Sequence, residues 1–76
     1  MADSTLDARG LICPMPILRA RKSLAALKAG QTLEVLATDP AAIPDFEAFC
    51  RTTGHDLLEA GSTNGEHRVV IRVGGG

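Results

Sequence analysis

An α/β two-layer sandwich, with two helices on one face of a mixed four-stranded sheet, is predicted by three features of this 76-residue chain. Two segments carry apolar side chains at helical spacing, and the segments before, between and after them alternate apolar with polar residues. An Asn64-Gly65 dipeptide marks one tight hairpin near the end. Together these give the order β-α-β-α-β-β. Helices and sheet in so short a chain must share one core, and right-handed crossovers would set both helices on the same side of the sheet.

Thr5-Leu6-Asp7 reads as a short edge strand, ended by Arg9-Gly10, where glycine gives the backbone freedom to turn. From Pro14 to about Ala29 the spacing predicts a helix. At about 100° per residue Ile17, Ala20, Leu24 and Leu27 fall on one stripe, with Arg19, Lys22 and Ala26 opposite. Gly30 follows as its stop, and Lys28 sits where positive charge suits the helix dipole. Thr32–Thr38 is the next strand, with Leu33, Val35 and Ala37 on one face; Leu36 breaks the alternation, as on an inner strand covered on both sides. After Asp39-Pro40, Pro44 sits in the first turn of a second helix that runs to about Thr53, with Ile43, Phe46, Phe49 and Cys50 on its stripe and Gly54 as its stop. Asp56–Ala60 and Glu66–Val73 form the hairpin around Asn64-Gly65, the second strand alternating His67, Val69, Ile71 and Val73 against Arg68, Val70 and Arg72. Residues 74–76, all glycine, are expected to be a mobile tail of this single domain.

Composition removes several classes of function. With 45% hydrophobic and 22% charged residues the chain is ordinary globular material, and a formal net charge of -1 gives no case for nucleic-acid binding by a basic surface. Met1-Ala2-Asp3-Ser4-Thr5 has no basic leader segment and runs into no long apolar stretch, so the cytoplasm is expected and no membrane contact. In that reducing compartment Cys13 and Cys50 are read as free thiols.

The chemistry centres on Cys13-Pro14-Met15-Pro16. Two prolines are tolerated in a helix's first turn because its first N–H groups have no intrahelical partner. Cys13 is therefore read as the N-cap, where the helix dipole favours the thiolate and lowers its pKa. Pro14 and Pro16 supply no N–H, which leaves the amides of Met15 and Ile17 and makes the expected activation modest. Cys50, on a core stripe, is expected to be a buried and inert thiol. The two histidines, His55 and His67, form no cluster with the cysteines, so no metal site is expected. No phosphate-binding glycine loop is present, and Cys13-x-x-Pro16 lacks the second thiol of a dithiol oxidoreductase. What remains is one exposed thiol able to accept a group covalently and pass it on.

The run Leu6-Asp7-Ala8-Arg9-Gly10-Leu11-Ile12-Cys13-Pro14-Met15-Pro16-Ile17-Leu18, with the basic helix after it, resembles the TusA/SirA-like family of sulfur-carrier proteins. Ala37-Thr38-Asp39-Pro40, Phe49-Cys50 and the glycine ending extend the resemblance over nearly the whole chain. It implies a β-α-β-α-β-β sandwich like the C-terminal domain of a translation initiation factor. It also implies that Cys13 carries a persulfide, with no cofactor besides that sulfur and with Gly10, Pro14, Met15 and Pro16 as motif support. Sulfur would come from a cysteine desulfurase or a rhodanese-type donor and pass to a downstream protein serving tRNA thiolation, molybdenum-cofactor supply or sulfur oxidation. Such a protein is a relay with sulfurtransferase-type chemistry rather than a turnover enzyme, and a monomer is expected. Met15 departs from the acidic residue found there in some members, which bears on the partner rather than the chemistry. Arg19, Arg21 and Lys22 would orient an acidic partner, or equally form a solvated helix face.

Two other readings stand beside this one. Arg72-Val73-Gly74-Gly75-Gly76 is similar to the diglycine tail of ubiquitin-like carriers, although that fold opens with a hairpin before its helix. An RNA-binding or regulatory module rests on fold analogy alone, and the chain has no Tyr or Trp to stack on bases.

Overall fold

The computed structural model describes residues 2–74 and has the predicted order: β1 (Ser4–Ala8), α1 (Met15–Ala25), β2 (Thr32–Ala37), α2 (Ala42–Thr53), β3 (Asp56–Thr63) and β4 (Glu66–Arg72). The sheet order is β1-β2-β4-β3, with β1 parallel to β2 and the other two pairs antiparallel. β2 is thus an inner strand. Its Leu33, Val35 and Ala37 are buried and its alternate residues half-buried.

Both helices cover the face that Leu33, Val35, Val69 and Ile71 form. Ala20 and Leu24 of α1 and Phe46, Phe49 and Cys50 of α2 complete the core, with Ile17, Leu27 and Ile43 packed at its margin. Phe46 is fully buried and meets Phe49 edge to face at 6.3 Å between ring centroids. Each such side chain contributes roughly 1.5–3 kcal/mol from apolar surface removed from water. The opposite face of the sheet is polar. There Arg68 pairs with Glu34 and with Glu59, and Arg72 pairs with Asp56 at 2.9 Å.

α1 ends at Ala25, four residues short of the reading from spacing. Ala26 and Leu27 donate to the carbonyls of Ser23 and Leu24, the i to i+3 pattern that tightens a last turn. Gln31 then staples the following turn, its side chain accepting from Lys28 N–H at 2.8 Å and its own N–H donating to Lys28 O at 3.0 Å. α2 ends as its sequence predicts, on Gly54 at φ 81° with its N–H on Cys50 O. β3 runs on to Thr63, past Ala60, with a bulge between Leu57 and Glu59; Asn64 and Gly65, at φ 51° and 78°, make the hairpin turn.

Gly74, the first residue of the expected tail, makes contacts with the body of the domain. Its N–H donates to His55 Nδ1 at 3.0 Å, and a Cβ there would collide with the Gly54 carbonyl oxygen. Val73 pairs with Gly30 and Gln31 through both its backbone groups. Gly75 and Gly76 lie outside the described residues.

Candidate functional site

Parallel strands β1 and β2 both run toward one end of the sheet, so the loops that leave them start α1 and α2 side by side. Cys13 lies in the first of these loops and is exposed. The second loop holds the first in place. Thr38 Oγ accepts from Gly10 N–H at 2.9 Å, and Asp39 Oδ2 accepts from Cys13 N–H at 2.6 Å. Asp39 Oδ1 meanwhile accepts from Ala41 N–H at 3.1 Å, so one carboxylate ties the cysteine to the start of α2. Gly10, at φ 82°, makes the turn that permits this clasp.

Cys13 is not the N-cap. Pro14 holds that position, α1 begins at Met15, and Met15 N–H is spent on Ile12 O at 2.8 Å. Cys13 is thus set back from the helix dipole, and of the two amides expected to favour a thiolate that of Met15 is already engaged. Across the gap between the helices stands Asp45, in the first turn of α2. It lines the same groove as Cys13, and the Asp45 carboxylate as hydrogen-bond acceptor, some loss of water and the charges of Asp45 and Asp39 together raise the thiol's pKa. The expectation of a lowered pKa is thus reversed, because two carboxylates outweigh a dipole with few free amides.

The thiol opens onto a groove of about 320 Å³ between α1 and α2, lined among others by Ile17, Arg21, Asp45 and Phe49. A further hollow of about 350 Å³ continues it past Arg21 and Phe49 to His55 and Val73. A separate hollow of about 600 Å³ is on the polar face beside the β3–β4 hairpin and is lined by no cysteine.

The other residues read from sequence divide into two sets. Pro16 is fully buried beneath the first turn of α1 and acts in packing, whereas Pro14 and Met15 are exposed beside Cys13. Ile12 (73% exposed) and Leu18 (48%) extend Met15 into an apolar rim. Arg19, Arg21 and Lys22 are exposed on α1, and none of them forms an ion pair among the described residues. Cys50 is buried, 4% exposed, and burial with the charge of Asp56 pushes its thiol up to about 11. Neither histidine reaches the groove at Cys13: His55 sits under Gly74, and His67 Nδ1 pairs with Ser62 Oγ at 2.6 Å. Among the described residues no three His, Cys, Asp or Glu side chains gather as metal ligands.

Asp39 and Asp45 are the functional residues that sequence reasoning passed over as a strand boundary and an ordinary helix residue. The signal for them was topological. Consecutive parallel strands bring the starts of their helices together, so an acidic residue at the start of the second helix faces a cysteine at the start of the first.

A small α/β sandwich that presents one accessible thiol beside a helix start, over an open groove with an apolar rim, is of the covalent-carrier class. The family described as "Sulfurtransferase TusA" matches residues 4–73. A sulfur carrier protein TusA of Allochromatium vinosum is 49% identical over 70 residues, covering 92% of each chain. A candidate sulfur carrier of Neisseria meningitidis is 54% identical over 72 residues, covering 95% of this chain and 97% of its own. The crystal structure of a SirA-like protein from Desulfitobacterium hafniense superposes with a TM-score of 0.82 at 33% identity, covering 93% of this chain and 97% of the other. The chain belongs to the TusA family of sulfur carriers. A sulfur carrier needs a donor and an acceptor as partners, and no helix among the described residues is long and apolar enough to cross a membrane.

Proposed function

We propose that the protein carries sulfur as a persulfide on Cys13. The observation that supports this best is the contrast in access: Cys13 is exposed on the groove, whereas Cys50 is closed into the core. In loading, the Cys13 sulfur attacks the outer sulfur of a donor's persulfide. The donor's S–S bond breaks, a new S–S bond forms on Cys13, and the donor cysteine leaves as a thiolate that takes up the proton Cys13 gives away. No external oxidant or reductant enters. A persulfide is more acidic than a thiol, so the loaded carrier is the stronger nucleophile precursor at neutral pH.

The donor would be a cysteine desulfurase or a rhodanese-type protein. The acceptor would be a protein of tRNA thiolation, molybdenum-cofactor supply or sulfur oxidation, and the setting would be cytoplasmic. Ile12, Met15 and Leu18 offer such partners an apolar contact around the thiol, and Arg19, Arg21 and Lys22 add a basic margin that suits an acidic surface. The ubiquitin-like reading, with loading on a carboxylate, is disfavoured by the order of elements, since that fold opens with a hairpin before its helix whereas here one short strand leads straight to α1.

Intact-mass analysis after incubation with a desulfurase and cysteine, or with thiosulfate and a rhodanese, tests the reading. Wild type and Cys50→Ala should gain one sulfur, roughly +32 Da, that reductant removes. Cys13→Ser should gain none, and removal of Gly75 and Gly76 should leave loading intact. Loading that survives Cys13→Ser and vanishes with the tail would overturn it.

A further inference from the structure

The groove pairs the carrier cysteine with a carboxylate that sulfur transfer does not require. Groups of both signs face Cys13 from every element around it: Asp45 from α2, Asp39 from the loop after β2, and Arg21 further along α1. Their positions differ in consequence. Asp39 is committed to the amides of Cys13 and Ala41. Asp45 is partly buried on the groove wall and has no ion-pair partner among the described residues. It also stands in the first turn of α2, where negative charge suits the helix dipole. On the opposite side Pro14 and Pro16 have no N–H to offer and Met15 N–H is engaged by Ile12. The thiol therefore meets a negative acceptor on one wall and few donors on the other.

We propose that Asp45 is a positioning residue for Cys13: its carboxylate accepts the thiol's hydrogen bond and holds the empty carrier at rest. This rests on the persulfide reading for its purpose, though not for its physics. A hydrogen bond from S–H to a carboxylate exists only in the protonated form, and ionisation would set two negative charges face to face. The raised pKa of Cys13 agrees with that arrangement. A persulfide places its acidic S–H one bond further out and gives it up more readily. The empty carrier thus stays a thiol at a pH where the loaded carrier is already an anion, and Asp45 widens the difference in reactivity between the two. The benefit to a relay is that an unloaded carrier neither reacts with stray electrophiles nor attacks the disulfides and persulfides of proteins to which it is not docked.

The test is the pH profile of iodoacetamide alkylation of reduced, full-length protein, with thermal melting as a check on folding. In Asp45→Asn the midpoint for Cys13 should fall by about one pH unit, the low end of what a neighbouring like charge produces. Below the midpoint the thiolate fraction then rises about tenfold, part of which is offset by the weaker nucleophilicity of a more acidic thiol, for a net gain of roughly threefold in rate. Asp45→Ala should move the midpoint in the same direction, and Asp45→Glu, which keeps the charge, should restore the wild-type value. A purely structural role would alter melting and leave the midpoint alone. A second arm compares loaded with empty protein at pH 7. The ratio of their alkylation rates should shrink by roughly the same threefold in Asp45→Asn. A midpoint that is unchanged or raised in both Asn and Ala variants overturns the proposal whether or not the protein loads sulfur. A shifted midpoint in a protein that never loads supports the role of Asp45 and counts instead against persulfide carriage.

Discussion

Cys13 and Cys50 occupy two regions that hold a thiol's proton by different means. At the helix starts the thiol is exposed, and its pKa is raised first by the Asp45 carboxylate that lines the same groove, then by some loss of water and the charge of Asp39. In the core the thiol is enclosed by the second helix and the sheet, and burial is the main cause of a rise to about 11. The first restraint depends on one side chain and can be relieved by altering that side chain's charge. The second depends on the whole packed interior and yields only when the interior opens. A thiol restrained by a neighbour suits a carrier, because it stays reachable; a thiol restrained by burial behaves as a small apolar side chain.

The widest gap between the regions should be kinetic. In native protein Cys50 should react with iodoacetamide roughly a hundredfold or more slowly than Cys13, because exposing it requires opening the core of a domain whose total stability is roughly 5–15 kcal/mol. Mass mapping of labelled cysteines over time checks this. Equal rates would mean that α2 does not keep Cys50 on the core face.

A smaller effect separates the two thiols in stability. The Cys50 pKa is higher in the folded protein, about 11, than the ordinary 9.0 expected once unfolded. The folded state therefore binds this proton more tightly. Its contribution is complete below about pH 9 and is lost as pH rises through 11, roughly 2–3 kcal/mol in all at 1.36 kcal/mol per pH unit. Urea melts across that window should show a steeper decline for wild type than for Cys50→Ala. The comparison of slopes matters, since Ala also changes the packing at every pH. Parallel slopes would place Cys50 in a wetter environment than the core contacts describe.

The core region was far more legible in the sequence than the site. Helical spacing identified Ala20, Leu24, Phe46, Phe49 and Cys50, and alternation identified Leu33, Val35, Val69 and Ile71, because burial on one face of a helix or strand imposes a local period. The hairpin was equally plain, since Asn64-Gly65 supplies the two positive φ angles its turn needs. The environment of Cys13 has no such period. Its nearest determinants come from the second crossover, with Asp39 26 residues away in the chain, and only the parallel pairing of β1 and β2 brings them near. A local reading saw a helix start and inferred an activated thiol. It missed the carboxylates and placed the cap one residue early, at Cys13 in place of Pro14. The end of α1 departs from the spacing for a related reason: Ala26 and Leu27 fit the helical pattern, but their N–H groups bond only three residues back, to Ser23 and Leu24, and Gln31 then staples the next turn at Lys28.

The smallest expected effect concerns Asp39 and sharpens the distinction between the two acids at the site. Its two carboxylate oxygens serve two amides, Cys13 N–H at 2.6 Å and Ala41 N–H at 3.1 Å. Asparagine has one acceptor oxygen, so Asp39→Asn can satisfy only one of them and turns an NH2 group toward the other. The cost should be about 1 kcal/mol or less, near the value of one hydrogen bond, because the Cys13 amide is at the surface and water can replace the lost partner. In a domain of this size that is a fall of roughly 4–8 °C in Tm at most. Asp39 acts on the Cys13 thiol through charge alone and ranks behind Asp45 among the causes of its raised pKa. The alkylation midpoint in Asp39→Asn should therefore fall, but by less than in Asp45→Asn. A larger fall in Asp39→Asn, measured in the same buffer and at the same ionic strength, would transfer control of the thiol from the wall of the groove to the loop that clasps it.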